Sequence, residues 1–354
     1  CIKPLLCNVR IKIQLPLLLQ DCSSLLQSIN GDVPVQAGSL KISTGFLNCF
    51  IHQTGSMHLN LMPINPEAHF DFISGEDCIL STSPELQMKR MLVGGFERIM
   101  ALGPCYRGHE SSSRHNPEFW MLEWYRSGAM LDTILQDTES LVRECALEAP
   151  AVDSTGLLTC PDGTGVRLTG SPWPRIPAGQ LIEDALGIDI GQCTDATDLY
   201  SRMQQAGLAE GVQAGESFEQ LFSRLWAASE NRIPRGTPCF ITEWPAPVAS
   251  LARLDPDRPW LAERAELVIA GLELSNGFCE LTDHVEQRRR FEFESTVRQQ
   301  RGLPPVAPDT VFLDSLGAGM PPSAGMALGF DRLAMLLSGA DSIRDVLTFA
   351  QDEL

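Results

Sequence analysis

Two apolar runs around one polar loop limit this chain most. Ile99 to Tyr106 and Phe119 to Arg126 each read as a strand, and the residues between them, Arg107-Gly108-His109-Glu110-Ser111-Ser112-Ser113-Arg114-His115-Asn116-Pro117, are polar or turn-forming. Strand, loop and strand in direct succession predict an antiparallel hairpin with a long loop. Period-two alternation assigns Phe119, Met121, Glu123 and Tyr125 to one face and Trp120, Leu122, Trp124 and Arg126 to the other. A carboxylate and a phenol therefore share a face.

Around this hairpin the chain is mixed. Upstream, the turn Ser81-Thr82-Ser83-Pro84 leads into a helical stretch from Glu85 to Leu92 that Gly94-Gly95 stops. Residues 131–235 read as helices broken by Cys160-Pro161-Asp162-Gly163 and Ser171-Pro172-Trp173-Pro174, an inserted or peripheral helical layer. Strands return at Cys239 to Trp244 and Glu266 to Gly271. Leu272 to Thr282 reads as a further hairpin turning at Asn276-Gly277, which would set Glu273 opposite Glu280 and Leu274 opposite Cys279. Facing carboxylates repel, so that register predicts a cation between them. Gly325-Met326-Ala327-Leu328-Gly329 then runs as a strand into an amphipathic helix over Phe330 to Leu337. Strands and helices without βαβ regularity predict an α+β fold on an antiparallel sheet flanked by helices. Trp120, Trp124, Phe291 and Phe293 read as core aromatics. Residues 1–53, rich in Cys and Leu, yield no element, so the expected division is an unassigned 1–53 and one domain over 54–354.

Composition removes several classes. No apolar run approaches the roughly 20 residues of a membrane-spanning helix, so no membrane partner is expected. The net charge of -18 opposes a dedicated nucleic-acid binder. The 11 cysteines include no C-x-x-C pair and, with a poor signal-peptide start at Cys1-Ile2-Lys3-Pro4, predict free thiols in a reducing, cytoplasmic setting.

The segment Arg114-His115-Asn116-Pro117-Glu118-Phe119-Trp120-Met121-Leu122-Glu123-Trp124-Tyr125-Arg126, with Arg107 before it, resembles motif 2 of the class II lysyl-tRNA synthetases, and Gly325 to Arg332 resembles motif 3. Thr82-Ser83-Pro84-Glu85, Met88-Lys89-Arg90, Asn276-Gly277-Phe278-Cys279-Glu280-Leu281-Thr282-Asp283 and Glu286-Gln287-Arg288 extend the likeness, which is closest to the elongation factor P lysine ligases, shortened paralogues of those synthetases. Three departures stand out. Motif 1, which builds the family's dimer interface, is not recognisable in 1–53; the acidic residue of motif 2 falls at Glu110, one position late; and position 279 is Cys. A homodimer is the family's expectation all the same.

The resemblance implies activation of an amino acid by ATP with Mg²⁺, giving an aminoacyl adenylate. Arg107 and Arg332 would be the catalytic cations, Arg107 at the α-phosphate and Arg332 at the γ-phosphate. ATP would also meet Gly108, His109, Glu110, Asn116, Glu273, Leu274 and Gly329. The substrate amino acid would meet Ser83, Glu85, Tyr125, Glu280 and Ala327, and Glu273 with Glu280 would hold Mg²⁺. Ala327 stands where lysyl-tRNA synthetases have Gly, which suits an altered lysine such as the (R)-β isomer. Substrates are thus lysine or β-lysine, with elongation factor P the expected acceptor and tRNA less so, because no anticodon-binding barrel is legible. A lysyl-tRNA synthetase and a non-catalytic regulatory paralogue are the alternatives. The run Gln287-Arg288-Arg289-Arg290 reads as a solvated helix face, or else as a surface that steers an acidic partner.

Overall fold

A computed structural model describes residues 69–71, 77–350 apart from 109, 171, 214, 301 and 303–305, and 353. The expectations for residues 1–53 and for His109 lie outside the described residues. A short pair, β1 (His69–Asp71) with β2 (Asp77–Ile79), precedes helix α1 (Glu85–Val93). Gly94 ends α1 as expected, while its start differs from a capping box: Pro84 takes the cap position and Ser83 Oγ accepts from the Glu85 N–H at 3.0 Å.

The long-looped hairpin forms as β3 (Arg98–Tyr106) and β4 (Glu118–Ser127), paired without a break. Helix α2 (Leu131–Leu147) follows, then a small hairpin of β5 (Leu157–Thr159) and β6 (Gly165–Arg167) and the edge strand β7 (Arg175–Pro177). Three helices come next, α3 (Ala178–Leu186), α4 (Ala196–Gln205) and α5 (Phe218–Ser229). The sheet resumes with β8 (Cys239–Pro245), β9 (Leu261–Ile269) and β10 (Leu272–Cys279). Helices α6 (His284–Gln300) and α7 (Thr310–Gly317) lead to β11 (Ser323–Gly329), which runs directly into α8 (Phe330–Ser338).

Seven strands make one sheet in the order β3-β4-β11-β10-β9-β8-β7, antiparallel except for the β7–β8 pair. One face carries Leu122, Trp124, Ala265, Leu267, Ile269, Ala324, Met326 and Leu328, and packs on α2 and α8. Helix α2 thus belongs to the main core, not to a peripheral layer. The opposite face is covered at one end by α3, α4 and α5, packed on β8 and β9 through Ile241, Trp244 and Val268. At its other end Tyr125 packs with residues of α1, α6 and α7, among them Leu86, Phe291 and Phe312. Between these two covers Asn276 and Ala327 are half-buried, and small residues of β11 form the floor of a cleft. Trp124 and Phe291 are buried as expected, whereas Trp120 and Phe293 are exposed.

The expected hairpin at Asn276-Gly277 is not the one that forms. Those residues lie inside β10, and the turn falls at Ala270-Gly271, joining β9 to β10. Ala270 and Gly271 both adopt positive φ, 54° and 77°, as a tight two-residue turn with the right twist requires. Asn-Gly is the stronger local turn signal, but here sheet pairing overrides it: Asn276 is bonded into a central strand between β9 and β11. Glu273 and Glu280 consequently stand near opposite ends of one strand, on the order of 20 Å apart along it. A single cation cannot bridge them, and that part of the expectation is corrected.

Candidate functional site

The register across the open face sets Glu123, Ala327, Asn276 and Glu266 in one row, and Tyr125, Gly325, Phe278 and Arg264 in the next. A bulge between Glu273 and Ser275 shifts the alternation of β10 by one, so that Glu273 joins this face along with Asn276 and Phe278. Gly325 must be glycine: a Cβ there would lie 2.3 Å from the Tyr125 ring and 2.9 Å from Glu280 Oε1.

At one end of the cleft is a buried acidic cluster. Glu123 is 1% exposed and accepts from Ser83 Oγ at 2.6 Å and from the Tyr125 hydroxyl at 3.0 Å. Glu280, also 1% exposed, lies 2.6 Å through Oε2 from Lys89 Nζ. The same ammonium, itself 0% exposed, lies 2.6 Å from Glu85 Oε1 and 5.1 Å from the centre of the Phe278 ring. Glu85 reaches solvent with a side-chain exposure of 21%. Two carboxylates thus share one cation, and a third, Glu123, is held only by hydroxyl groups. Burial, reinforced by Glu85, pushes the Glu123 carboxyl up to about 7 against the pull of its two hydrogen bonds. Burial likewise pushes Glu280 up to about 8, although Lys89 opposes the rise. For Lys89, burial works against the charge, but Glu280 and Glu85 outweigh it and hold the ammonium above the ordinary lysine value. Near neutral pH the cluster is short of cations.

At the other end are cationic groups. Arg107 follows β3, with its guanidinium 5.2 Å from the centre of the Phe119 ring and its buried Nε without a hydrogen-bond partner among the described residues. Arg332, in the first turn of α8, donates through Nη1 to the Glu273 carbonyl at 2.9 Å and through Nη2 to His115 Nε2 at 2.6 Å. An arginine only donates, so His115 accepts at Nε2, and its Nδ1–H donates to Ser112 Oγ at 2.9 Å. Burial and the neighbouring Arg332 lower the His115 pKa and keep the ring neutral for this role. Asp331 ties the two motifs together by accepting from the Trp120 N–H at 2.7 Å. Gly329 begins α8, and Leu274 is buried beneath it, its carbonyl 3.7 Å from where a Cβ on Gly329 would sit. In the loop, Asn116 donates to the Glu118 carbonyl at 2.6 Å and Glu110 is exposed.

Sequence reasoning missed four residues. Glu123 was legible only as the face-mate of Tyr125, and Lys89 only as the residue four after Glu85. Phe119 sits beneath Arg107. Glu266 lies across the true turn from Glu273, which pairs with Val268, two residues along β9. Burial and the nearby Glu273 push Glu266 up to about 7 against the pull of Arg264, which donates to it at 2.6 Å. A buried Glu266 with Glu273 close enough to raise its proton affinity offers hard oxygen donors on this face that fit a Mg²⁺ that substrate phosphates would complete. Among the described residues no group of three or more His, Cys, Asp or Glu could hold a metal by itself.

The family model "tRNA synthetases class II (D, K and N)" matches residues 56–353. The chain belongs to the class II tRNA synthetase family. A "Lysine--tRNA ligase" of Pelotomaculum thermopropionicum is 34% identical over 274 residues, 77% of this chain and 53% of that protein. A "Lysine--tRNA ligase" of Synechococcus sp. is 36% identical over 272 residues, 76% of this chain and 52% of that protein. An "Elongation factor P--(R)-beta-lysine ligase" of Erwinia tasmaniensis is 36% identical over 280 residues, 79% of each chain. The chain therefore spans about half the length of the lysine--tRNA ligases it matches. No helix of the described residues is long and apolar enough to cross a membrane.

Proposed function

We propose that this chain activates lysine or β-lysine with ATP and passes the aminoacyl group to elongation factor P. The observation that carries the reading is the acidic cluster: Glu85 and Glu280 hold one buried ammonium between them, and Glu123 is buried beside them with only hydroxyl partners. Burying carboxylates without a full set of partners is costly, and a ligand that brings ammonium groups removes the cost. A diamino acid is such a ligand. Its chain would lie along the Gly325 and Ala327 floor with an ammonium at the cluster and its carboxylate toward Arg107.

The reaction is attack of a substrate carboxylate oxygen on the α-phosphorus of ATP, forming an acyl phosphate bond as the bond to pyrophosphate breaks. An acceptor amine then takes the acyl group, and AMP leaves. No enzyme nucleophile is needed. Arg107, whose Nε has no hydrogen-bond partner among the described residues, would neutralise charge spreading over the α-phosphate, and bidentate geometry favours arginine there. Arg332 would meet the nucleotide from the start of α8, where backbone N–H groups also favour an anion. Glu266 and Glu273 would hold Mg²⁺, which supplies charge neutralisation of the phosphates.

The acceptor is inferred from two supports: the elongation factor P ligase is matched over most of both chains, and Ala327 adds a methyl to the floor beside Glu123. The lysine--tRNA ligases match as well in identity and keep tRNA as the second reading. Purified protein, ATP, Mg²⁺ and labelled lysine or β-lysine should be offered elongation factor P and lysine tRNA in separate tubes. Label on the protein supports the proposal, label on tRNA alone replaces it with the second reading, and the absence of any adenylate refutes both.

A further inference from the structure

Lys89 has no place in the reaction just described, yet it is the most enclosed charge in the cleft. Its stem leaves α1 one turn after Glu85, and its ammonium is pinned from two sides, by Glu85 of its own helix and by Glu280 just past β10. The other groups that face it are Phe278 of β10 and, around the same cluster, Glu123 and Tyr125 of β4. A lysine placed there only to stabilise the fold would be a poor choice. An apolar residue together with fewer carboxylates would fill the same space at less cost.

We propose that Lys89 is a positioning residue that sets the cation specificity of the substrate cleft. By drawing Glu280 Oε2 and Glu85 Oε1 to itself, it fixes both carboxylates in place and leaves the second oxygen of each for the substrate. Glu280 Oε1 has no hydrogen-bond partner among the described residues and lies against the Gly325 floor, where a Cβ would stand 2.9 Å from it. That unpartnered oxygen, in a group 1% exposed, is the ligand-seeking feature of the cluster. The resident ammonium also reduces the cluster's charge, so that the cleft accepts a diamino acid without drawing in stray cations. This inference rests on the lysine-activation reading.

The test replaces Lys89 with Met, which keeps the length without the charge, and with Gln, which keeps a donor. ATP–pyrophosphate exchange then gives KM for lysine, KM for ATP and kcat, alongside the melting temperature. A positioning role predicts a lysine KM raised at least tenfold in both variants, with ATP KM within threefold and kcat less affected than lysine KM. Lysine KM within twofold of the parent overturns the proposal. So does a parallel rise in both KM values that follows the lost melting temperature, and so does failure of both variants to fold, since each of these makes Lys89 structural. If the unaltered protein forms no adenylate, the activation reading fails by itself. The rise in melting temperature given by millimolar lysine, compared between parent and variants, then decides the role of Lys89 separately: an undiminished rise in the variants overturns it, and a lost rise upholds it.

Discussion

Gly325→Ala adds one methyl to the floor of the cleft, and its consequences can be worked through from the structure. The new carbon would lie 2.3 and 2.4 Å from Tyr125 Cδ1 and Cε1, where carbon atoms rest at about 3.5–4.0 Å. The ring must therefore retreat by about 1 Å, and it has nowhere to go, because Tyr125 is 4% exposed and packed among Leu86, Phe291 and Phe312. Overpacking of this kind costs roughly 1–3 kcal/mol. Displacing the ring also breaks the 3.0 Å bond from its hydroxyl to Glu123, and a hydrogen bond to a charged group is worth about 1.5–3 kcal/mol. With an unfolding entropy of about 2.1 cal/mol/K per residue over roughly 280 residues, each kcal/mol moves melting by about 1.7 °C, and the expected loss of melting temperature is on the order of 5–10 °C. Lysine KM should rise at least tenfold, since Glu123 loses one of its two orienting partners. Gly329→Ala is the control: Gly329 has φ −70°, and its added carbon would meet nothing closer than Arg332 Cδ at 3.5 Å, so melting should move by no more than about 1 °C. Scanning calorimetry and exchange kinetics on the two variants decide the matter, and a Gly325→Ala protein with ordinary melting and ordinary lysine KM would refute the steric argument.

Three further outcomes are expected. Lysine should bind more tightly as pH rises from about 6 to 8: Glu123 and Glu280 carry protons in the empty cluster up to about 7 and about 8, and an arriving ammonium favours their charged forms. Proton release measured in two buffers of different ionisation heat checks this, and uptake of protons would contradict it. The same shift fixes a stability trend. With Glu123 raised from 4.5 to about 7, the folded chain binds more protons than the unfolded one between those values, so stability falls as pH climbs through that window, by roughly 3 kcal/mol for this group. Melting scans at pH 5 and pH 8 without lysine test the sign. Glu266→Gln should raise the Mg²⁺ concentration needed for half-maximal exchange at least tenfold while leaving lysine KM within twofold; an unchanged Mg²⁺ requirement would remove Glu266 from the metal site. Ala270→Gly should raise the melting temperature by about 2 °C, because an alanine at φ 54° loses roughly 1 kcal/mol to a left-handed backbone, and a fall would show that the turn gains more from alanine's stiffer chain.

Much of the fold was legible wherever local pattern and tertiary context agree. The hairpin of β3 and β4 and the strand-to-helix passage into α8 lie within a residue or two of their predicted limits, because alternation and small-residue runs are local signals that the sheet only reinforces. The turn was misplaced because Asn276-Gly277 carries turn chemistry, yet its backbone groups are bonded to strands on both sides. Ala270, a residue no turn rule favours, makes the turn instead. That single error also concealed the proposed metal pair: Glu266 and Glu273 are neighbours only when the chain reverses between them. Lys89 was hidden for a different reason. A lysine four residues after a glutamate on a helix reads as an ordinary surface pair, and only the arrival of Glu280 from the sheet makes it a buried one.

The two ends of the cleft handle charge in opposite ways, and the contrast bears on the order of binding. At the cationic end, Arg332 is held by the Glu273 carbonyl and by a neutral His115, both of which a phosphate or a base could displace without leaving a buried charge behind. At the acidic end no such exchange is available: Glu123 and Glu280 are 1% exposed, and Lys89 cannot leave. Protonation is the only other way to relieve them, so the empty cluster waits in a partly protonated state that a diamino acid converts to a fully ionised one. Because Lys89 already holds Glu85 and Glu280 in place, that conversion needs no nucleotide, and on the proposed reading lysine binding is independent of ATP. Calorimetric titration with lysine alone should therefore give an affinity within about threefold of that measured beside a non-hydrolysable ATP analogue, a difference under about 0.7 kcal/mol; a strict requirement for nucleotide would mean that the cluster is assembled by ATP instead of standing ready in the fold.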